Sequence, residues 1–116
     1  MRKRLDYGQI RNEYELLLSC LSESNRYYCR DLALTALMLR YTNGGVSGLR
    51  RFPQGLVQDF SEALGFNRSY LSKQMRVLFV RYNSFPTERE KVDNLMSKAF
   101  HKTVQNSYVS GEAIDE

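Results

Sequence analysis

Residues 56–80 read LVQDFSEALGFNRSYLSKQMRVLFV, and this stretch decides the fold of the chain. Its apolar residues recur at the three- and four-residue spacing of amphipathic helices on both sides of Gly65. Glycine tolerates the left-handed conformation that ends a helix, so Gly65 supplies a turn, and Asn67 can cap the next helix. Ser61 is small, at a position where two helices must approach closely. The pattern predicts a helix-turn-helix over residues 53–80.

Helical spacing of apolar residues predicts three more helices, at about residues 7–21, 25–42 and 88–106. The middle of the second helix, residues 32–39 (LALTALML), is apolar nearly all round and is therefore expected at the centre of the core. Only residues 79–85 could form a short extended piece. The predicted fold class is all-α, with about five helices and no clear β wing.

Prolines, serines and threonines predict where these helices begin. Pro53 suits the first turn of the first helix of the pair, because a missing N–H costs nothing there. Ser22 and Ser24 can cap the second helix of the chain. Thr87 and Glu90 have the capping-box spacing, in which each side chain bonds the other's backbone N–H, at the start of the last helix.

Basic charge is concentrated in two parts of the chain. Residues 1–13 carry four positive and two negative charges, and residues 40–81 carry seven positive and two negative charges. Residues 82–116 reverse the balance, with four positive and six negative charges. A polyanion is the partner that this distribution favours, and a solvated basic surface is the alternative.

Composition divides the chain into a basic N-terminal arm over residues 1–6, a helical domain over 7–108 and an acidic tail, expected to be disordered, over 109–116. Cys20 and Cys29 form no CxxC pair, and with one histidine they cannot assemble a metal site. No segment reads as a signal peptide or a membrane span. We therefore expect a cytoplasmic protein with reduced thiols, no membrane contact and no cofactor.

The second helix of the pair carries polar residues on the side opposite its apolar ones. Three of these are cations and none is a carboxylate, whereas the acids Asp59 and Glu62 lie on the first helix. Arginine pairs with guanine edges and asparagine with adenine edges, while serine and lysine also bind phosphate. An ordinary solvated hairpin explains the apolar positions equally well, but explains this separation of charge less well. The residues predicted to contact DNA on this helix are Asn67, Arg68, Ser69, Ser72, Lys73 and Arg76.

Five further cations are candidates for contacts with the DNA backbone. Arg50 and Arg51 lie in the loop before the first helix of the pair, where they can bind phosphates in a salt-dependent manner. Arg2, Lys3 and Arg4 form a basic arm that can enter a minor groove or follow the phosphates. The alternative for the arm is a frayed, solvated terminus.

Residues 60–78 (FSEALGFNRSYLSKQMRVL) resemble the helix-turn-helix of many bacterial transcriptional regulators. The spacing of Leu71, Met75 and Leu78 after Gly65 is similar to that of the winged-helix repressors. No β-hairpin wing follows in this sequence, so the chain departs from the winged pattern and favours an all-helical regulator.

Two all-helical groups share parts of this pattern. In the PapB-type regulators of fimbrial operons, an apolar helix ending in Gly-Gly precedes a motif that residues 67–78 resemble, although residues 48–52 are extra here. The plasmid regulators of the KorA type begin with a basic stretch similar to MRKRL and carry a similar motif. These resemblances imply a sequence-specific regulator that binds DNA as an oligomer.

The predicted function is transcriptional regulation by a bacterial, plasmid or phage protein that places a recognition helix, residues 67–80, in the major groove of double-stranded DNA. We expect a homodimer that uses the last or the first helix, and no small-molecule ligand. One alternative is a DNA-binding protein of plasmid partition or replication control. Another is a protein-interaction module, such as an anti-activator, that does not bind DNA. His101 has no nucleophile partner at a recognisable spacing, so we expect no enzymatic activity.

Overall fold

The computed structural model of the protein describes residues 5–42 and 55–100. Within these ranges the chain forms no strand and five helices: α1 (Tyr7–Ser19), α2 (Arg26–Tyr41), α3 (Leu56–Leu64), α4 (Arg68–Ser84) and α5 (Pro86–Ala99). The all-α class predicted from the apolar spacing is therefore confirmed. None of these five helices has the length and the apolar character that a bilayer crossing requires.

Helix α2 is the centre of the core. All eight residues from Leu32 to Leu39 are buried, as their sequence predicts. The reason is that α1, α4 and α5 all pack against α2 and leave it no solvent-facing side there. Thr35 is the one polar residue of this stretch, and its hydroxyl donates a hydrogen bond to the carbonyl of Asp31 at 2.8 Å. This bond removes the cost of burying an unpaired hydroxyl.

Asn25 caps α2. Its side-chain oxygen accepts hydrogen bonds from the backbone N–H groups of Tyr27 and Tyr28, at 2.9 and 3.1 Å. The prediction that Ser22 or Ser24 caps this helix was wrong. A capping side chain must directly precede the first helical residue to reach those N–H groups, and both serines lie too early in the chain.

Helix α5 begins with Pro86, two residues earlier than predicted. Phe85 precedes it in an extended conformation and makes no side-chain capping bond. The predicted capping box was wrong, because Thr87 already lies inside the helix and cannot cap it. Proline at the first helical position explains this start, since its fixed φ suits the helix and it has no N–H to leave unpaired.

Helices α3 and α4 also differ from their predicted ends. Gly55, with φ of 85°, precedes Leu56 in the left-handed conformation, so α3 begins three residues later than predicted. Pro53 lies outside the described residues. At the other end, α4 continues to Ser84, so the predicted end at residue 80 and the extended piece over 79–85 were both wrong. The helix continues because its last turns still pack against the core.

The apolar faces of the first and last helices are buried within the chain. Helix α5 contributes Val92 and Leu95, and Phe100 follows it, all at most 6% exposed. Helix α1 contributes Ile10 and Leu17, which have no exposed surface. These apolar residues of α5 therefore close the core, and the homodimer expected from the sequence stays a prediction.

Candidate nucleic-acid interface

The turn between α3 and α4 is held by local hydrogen bonds. Gly65 has φ of 77°, and the N–H groups of Gly65 and Phe66 donate to the carbonyl of Ser61 at 2.9 and 3.2 Å. The Ser61 hydroxyl donates to the carbonyl of Phe66 at 2.6 Å, so this serine closes the turn in addition to being small. The Asn67 side chain accepts from the N–H of Tyr70 at 3.0 Å, as predicted for a cap. Three residues thus join two helices in a fixed geometry.

Helix α4 is anchored on one side only. Leu71, Met75 and Leu78 are at most 1% exposed and face the core, as predicted. A polar pair adds to this contact, since Asp31 of α2 accepts hydrogen bonds from Gln74 at 2.7 Å and from Arg81 at 3.3 Å. None of the other four described helices covers the opposite side of α4, where Lys73 and Arg76 are exposed.

The six α4 residues predicted to contact DNA lie on this accessible side. Five of them are exposed and Ser72 is half-buried. At 100° per residue, Ser69, Lys73 and Arg76 lie within about 60° of one another around the helix axis. Arg68 begins the helix at the edge of the same side, directly after Asn67. The structure thus brings these predicted residues together on one surface, named here the α4 polar face: Asn67, Arg68, Ser69, Ser72, Lys73 and Arg76.

The cations of the α4 polar face carry no internal partner. Among the residues that the structure describes, Arg68, Lys73 and Arg76 make no side-chain hydrogen bond and no ion pair. The first turn of α4 contains no acidic residue. The N-terminus of the helix adds the positive end of its macrodipole, equivalent to roughly half an elementary charge. This surface therefore has a positive potential that no described carboxylate neutralises.

Other arginines of the described chain are used to hold the fold. Arg40 pairs with Glu13 of α1 at 3.0 Å, and Arg81 pairs with Asp31 at 3.3 Å. Arg11 donates through Nε to the carbonyl of Ala63 near the end of α3, at 3.1 Å. The lack of a partner at the α4 cations is therefore not a general property of the arginines in the described chain.

The two acids of α3 face away from the α4 polar face, toward α1. The Tyr7 hydroxyl lies 3.1 Å from a carboxylate oxygen of Asp59 and 3.0 Å from one of Glu62. Asp59 is only 1% exposed. Neither carboxylate is therefore placed where it would repel an anion bound to α4.

Residues that position α4 were not predicted from the sequence. Gln74 and Arg81 are seven residues apart, which places them on the same side of the helix, next to its apolar stripe. That spacing is a signal for a shared partner, but the partner, Asp31, lies more than forty residues away in the chain. Arg30, the residue before it, contacts the turn and α4 as well, as described below.

The remaining predicted contacts lie outside the described residues. These are the loop arginines Arg50 and Arg51 and the arm residues Arg2, Lys3 and Arg4. The acidic tail predicted over 109–116 also lies outside them. The candidate interface is therefore described here by α4 and its surroundings.

Comparisons with protein-family models, with curated proteins and with solved structures find no match to this chain. The resemblance of residues 60–78 to the helix-turn-helix of bacterial regulators therefore rests on the motif.

Proposed function

We propose that the protein is a sequence-specific DNA-binding regulator of transcription, in which α3 and α4 act as a helix-turn-helix and α4 is the recognition helix. One observation carries the proposal. Three cations, Arg68, Lys73 and Arg76, are exposed on one side of α4 and have no partner among the described residues. Exposed cations held on a well-anchored helix are suited to bind the phosphates and base edges of a duplex.

The dimensions of α4 suit the major groove. A helix with its side chains is about 10–12 Å in diameter and the major groove is about 12 Å wide, and the 17 residues of α4 make it about 25 Å long. The first turns of α4 would then contact DNA, and the last turns, which pack against α5, would lie outside the groove. We therefore assign Ser69, Ser72, Lys73 and Arg76 to the base edges and Arg68 to the edge of the groove.

The cap changes the role proposed for Asn67. Its side-chain oxygen already accepts the N–H of Tyr70 at 3.0 Å, and a bidentate contact with adenine needs both the oxygen and the amide nitrogen. We therefore assign Asn67 to a phosphate, which needs only the amide N–H₂ group. Reading of guanine edges is assigned to Arg76, whose guanidinium has no competing bond among the described residues.

The proposal includes a homodimer on two half-sites, a cytoplasmic location and no enzymatic activity. Arg50, Arg51 and the arm residues Arg2, Lys3 and Arg4 remain proposed phosphate contacts, on the sequence argument given above. Helix-turn-helix dimers bind half-sites about one helical turn apart, so a footprint with two-fold symmetry would support the dimer.

Selection from a random duplex pool, followed by sequencing, tests the proposal. The purified full chain is expected to enrich one recurring motif, and the bound fraction is expected to fall as salt rises, because phosphate contacts release counterions. A pool that stays unenriched, together with no duplex binding at low salt, would contradict DNA binding.

A second candidate function, a protein-interaction module without DNA contact, is favoured by one specific feature. Val77 and Val80 are 47% and 56% exposed on the last turns of the accessible side of α4, and Phe85 after it is 56% exposed. Apolar residues in such positions are typical of protein contacts. This module would bind no duplex in the selection, whereas a regulator would bind DNA whether or not these residues also contact protein.

A further inference from the structure

Arg30 of α2 is held against the turn and the first turn of α4 by three aromatic rings. Its guanidinium carbon lies 5.3 Å from the ring centroid of Tyr27, 5.2 Å from that of Phe66 and 5.4 Å from that of Tyr70. One terminal nitrogen, Nη2, donates to the Tyr70 hydroxyl at 2.7 Å. Tyr14 packs edge-on against Phe66, with centroids 6.1 Å apart, and completes the cluster.

The charge of Arg30 is not neutralised by any described carboxylate. Its one hydrogen bond goes to a neutral hydroxyl, and its Nε is buried without a hydrogen-bond partner. Asp31, the next residue, instead accepts from Gln74 and Arg81. The guanidinium of Arg30 is thus a cation with no anionic partner among the described residues.

The groups around Arg30 still have protons to donate. The Tyr70 hydroxyl accepts from Arg30 and still has its own proton to donate. Tyr27 is 69% exposed, so its hydroxyl is also accessible. The second terminal nitrogen of Arg30, Nη1, makes no hydrogen bond among the described residues and is not buried as Nε is. Two hydroxyls and one guanidinium N–H₂ group are a donor set for a phosphate oxygen.

The position of this cluster relates it to the α4 polar face. Tyr70 follows Ser69 directly, in the first turn of α4, but its ring lies on the side that faces α2. A helix in the major groove has a sugar-phosphate backbone on either side of it, and backbone contacts fix its register. With α4 in the major groove as proposed, the phosphates beside its first turn would pass close to this cluster.

We infer that Arg30, Tyr70 and Tyr27 form a backbone-binding site that takes one phosphodiester group of the DNA duplex. The inference rests on the proposed function, and it adds a contact from α2 that the motif itself does not contain. The aromatic rings hold the guanidinium in place before binding, so little side-chain entropy is lost when the phosphate arrives. The contact reads no base and sets the position of α4 along the groove.

The test measures duplex binding by Arg30→Met between about 50 and 200 mM salt, with a selected duplex and an unrelated one. Methionine keeps an apolar side chain against the rings and removes the charge. One phosphate contact contributes about 0.9 to the slope of log K against log salt. Over this range of salt, the affinity of the wild type should therefore fall by a factor about 3.5 times larger than the affinity of Arg30→Met does. At low salt, Arg30→Met should bind both duplexes more weakly than the wild type does, and the loss should be the same for the selected and the unrelated duplex.

Arg89→Met is the matched control. Arg89 of α5 also stacks on a tyrosine, with its guanidinium carbon 5.8 Å from the Tyr82 centroid, and it donates to the carbonyls of Tyr82 and Asn83 in the last turn of α4, far along the helix from its first turn. The change in net charge is the same, and the salt slope should keep its wild-type value. If Arg30→Met does not fold, Tyr70→Phe and Tyr27→Phe serve instead, because they keep the rings and remove the hydroxyls. Each should weaken the binding of both duplexes to the same degree.

Three results would overturn the inference. One is a wild-type salt slope for Arg30→Met with lower thermal stability, which would show that Arg30 only holds the fold. The second is wild-type affinity in both tyrosine variants. The third is a wild-type protein that binds no duplex at all, and only this one would also overturn the proposed function.

Discussion

Replacing Arg76 by alanine separates DNA recognition from folding. Arg76 is exposed near the middle of α4 and has no hydrogen bond or ion pair with the described residues. Its removal should therefore change the free energy of unfolding by no more than about 0.5 kcal/mol, the usual range for a surface substitution. The same change removes the side chain assigned to a guanine edge.

The expected loss of affinity follows from that assignment. A good bidentate contact between arginine and guanine contributes about 1–3 kcal/mol of discrimination against the wrong base. At 1.4 kcal/mol for each factor of ten, this corresponds to a loss of about 5- to 150-fold for the selected duplex. Affinity for an unrelated duplex should fall much less, because it depends mainly on phosphate contacts.

Arg81→Ala is the control on the same helix. Arg81 faces α2 and pairs with Asp31 at 3.3 Å, so its loss should lower the stability and leave the preference for the selected duplex unchanged. Fluorescence anisotropy with both duplexes gives the affinities, and urea unfolding gives the stabilities. Wild-type discrimination by Arg76→Ala would refute the assignment of Arg76 to a base. So would an equal loss of discrimination in both variants.

Three further predictions concern the fold. Leu37 has no exposed surface, so Leu37→Ala should lower the free energy of unfolding, measured by urea denaturation, by about 2–5 kcal/mol. A loss below about 1 kcal/mol would contradict the central place of Leu37 in the core. A Cβ on Gly65 would meet no atom within 4 Å, so Gly65→Ala should cost only the left-handed strain, about 1–2 kcal/mol by the same assay, and a larger loss would indicate a clash. Burial raises the pKa values of Tyr14 and Tyr82 from 10.0 to about 12. Because the pKa of each tyrosine is higher in the folded than in the unfolded chain, the stability that these groups contribute is fully present below pH 10 and is lost as the pH rises toward 12. A melting temperature that stays constant over this interval would contradict the raised pKa values.

Local patterns were sufficient to predict the helices and the turn. The apolar spacing places residues 32–39 at the centre, and the structure buries all eight of them. Gly65 and Asn67 have the conformations and the capping bond expected of them, because these depend on neighbours within a few residues. Ends with several candidate caps were predicted less well. Asn25 rather than a nearby serine caps α2, since only the residue directly before the first helical one reaches the free N–H groups.

The sequence by itself determined that the described chain is all-helical, that residues 32–39 lie at the centre of its core and that α4 carries a polar side with three cations. Only the tertiary structure decided which cations are used inside the protein. Arg30 meets the Tyr70 hydroxyl 40 residues away, Arg81 meets Asp31 50 residues away, and Arg11 meets a carbonyl 52 residues away. Periodicity along one helix contains no information about such partners, because they depend on how separate helices pack. Because of that packing, the α4 cations have no partner among the described residues, and the proposed function rests on this observation.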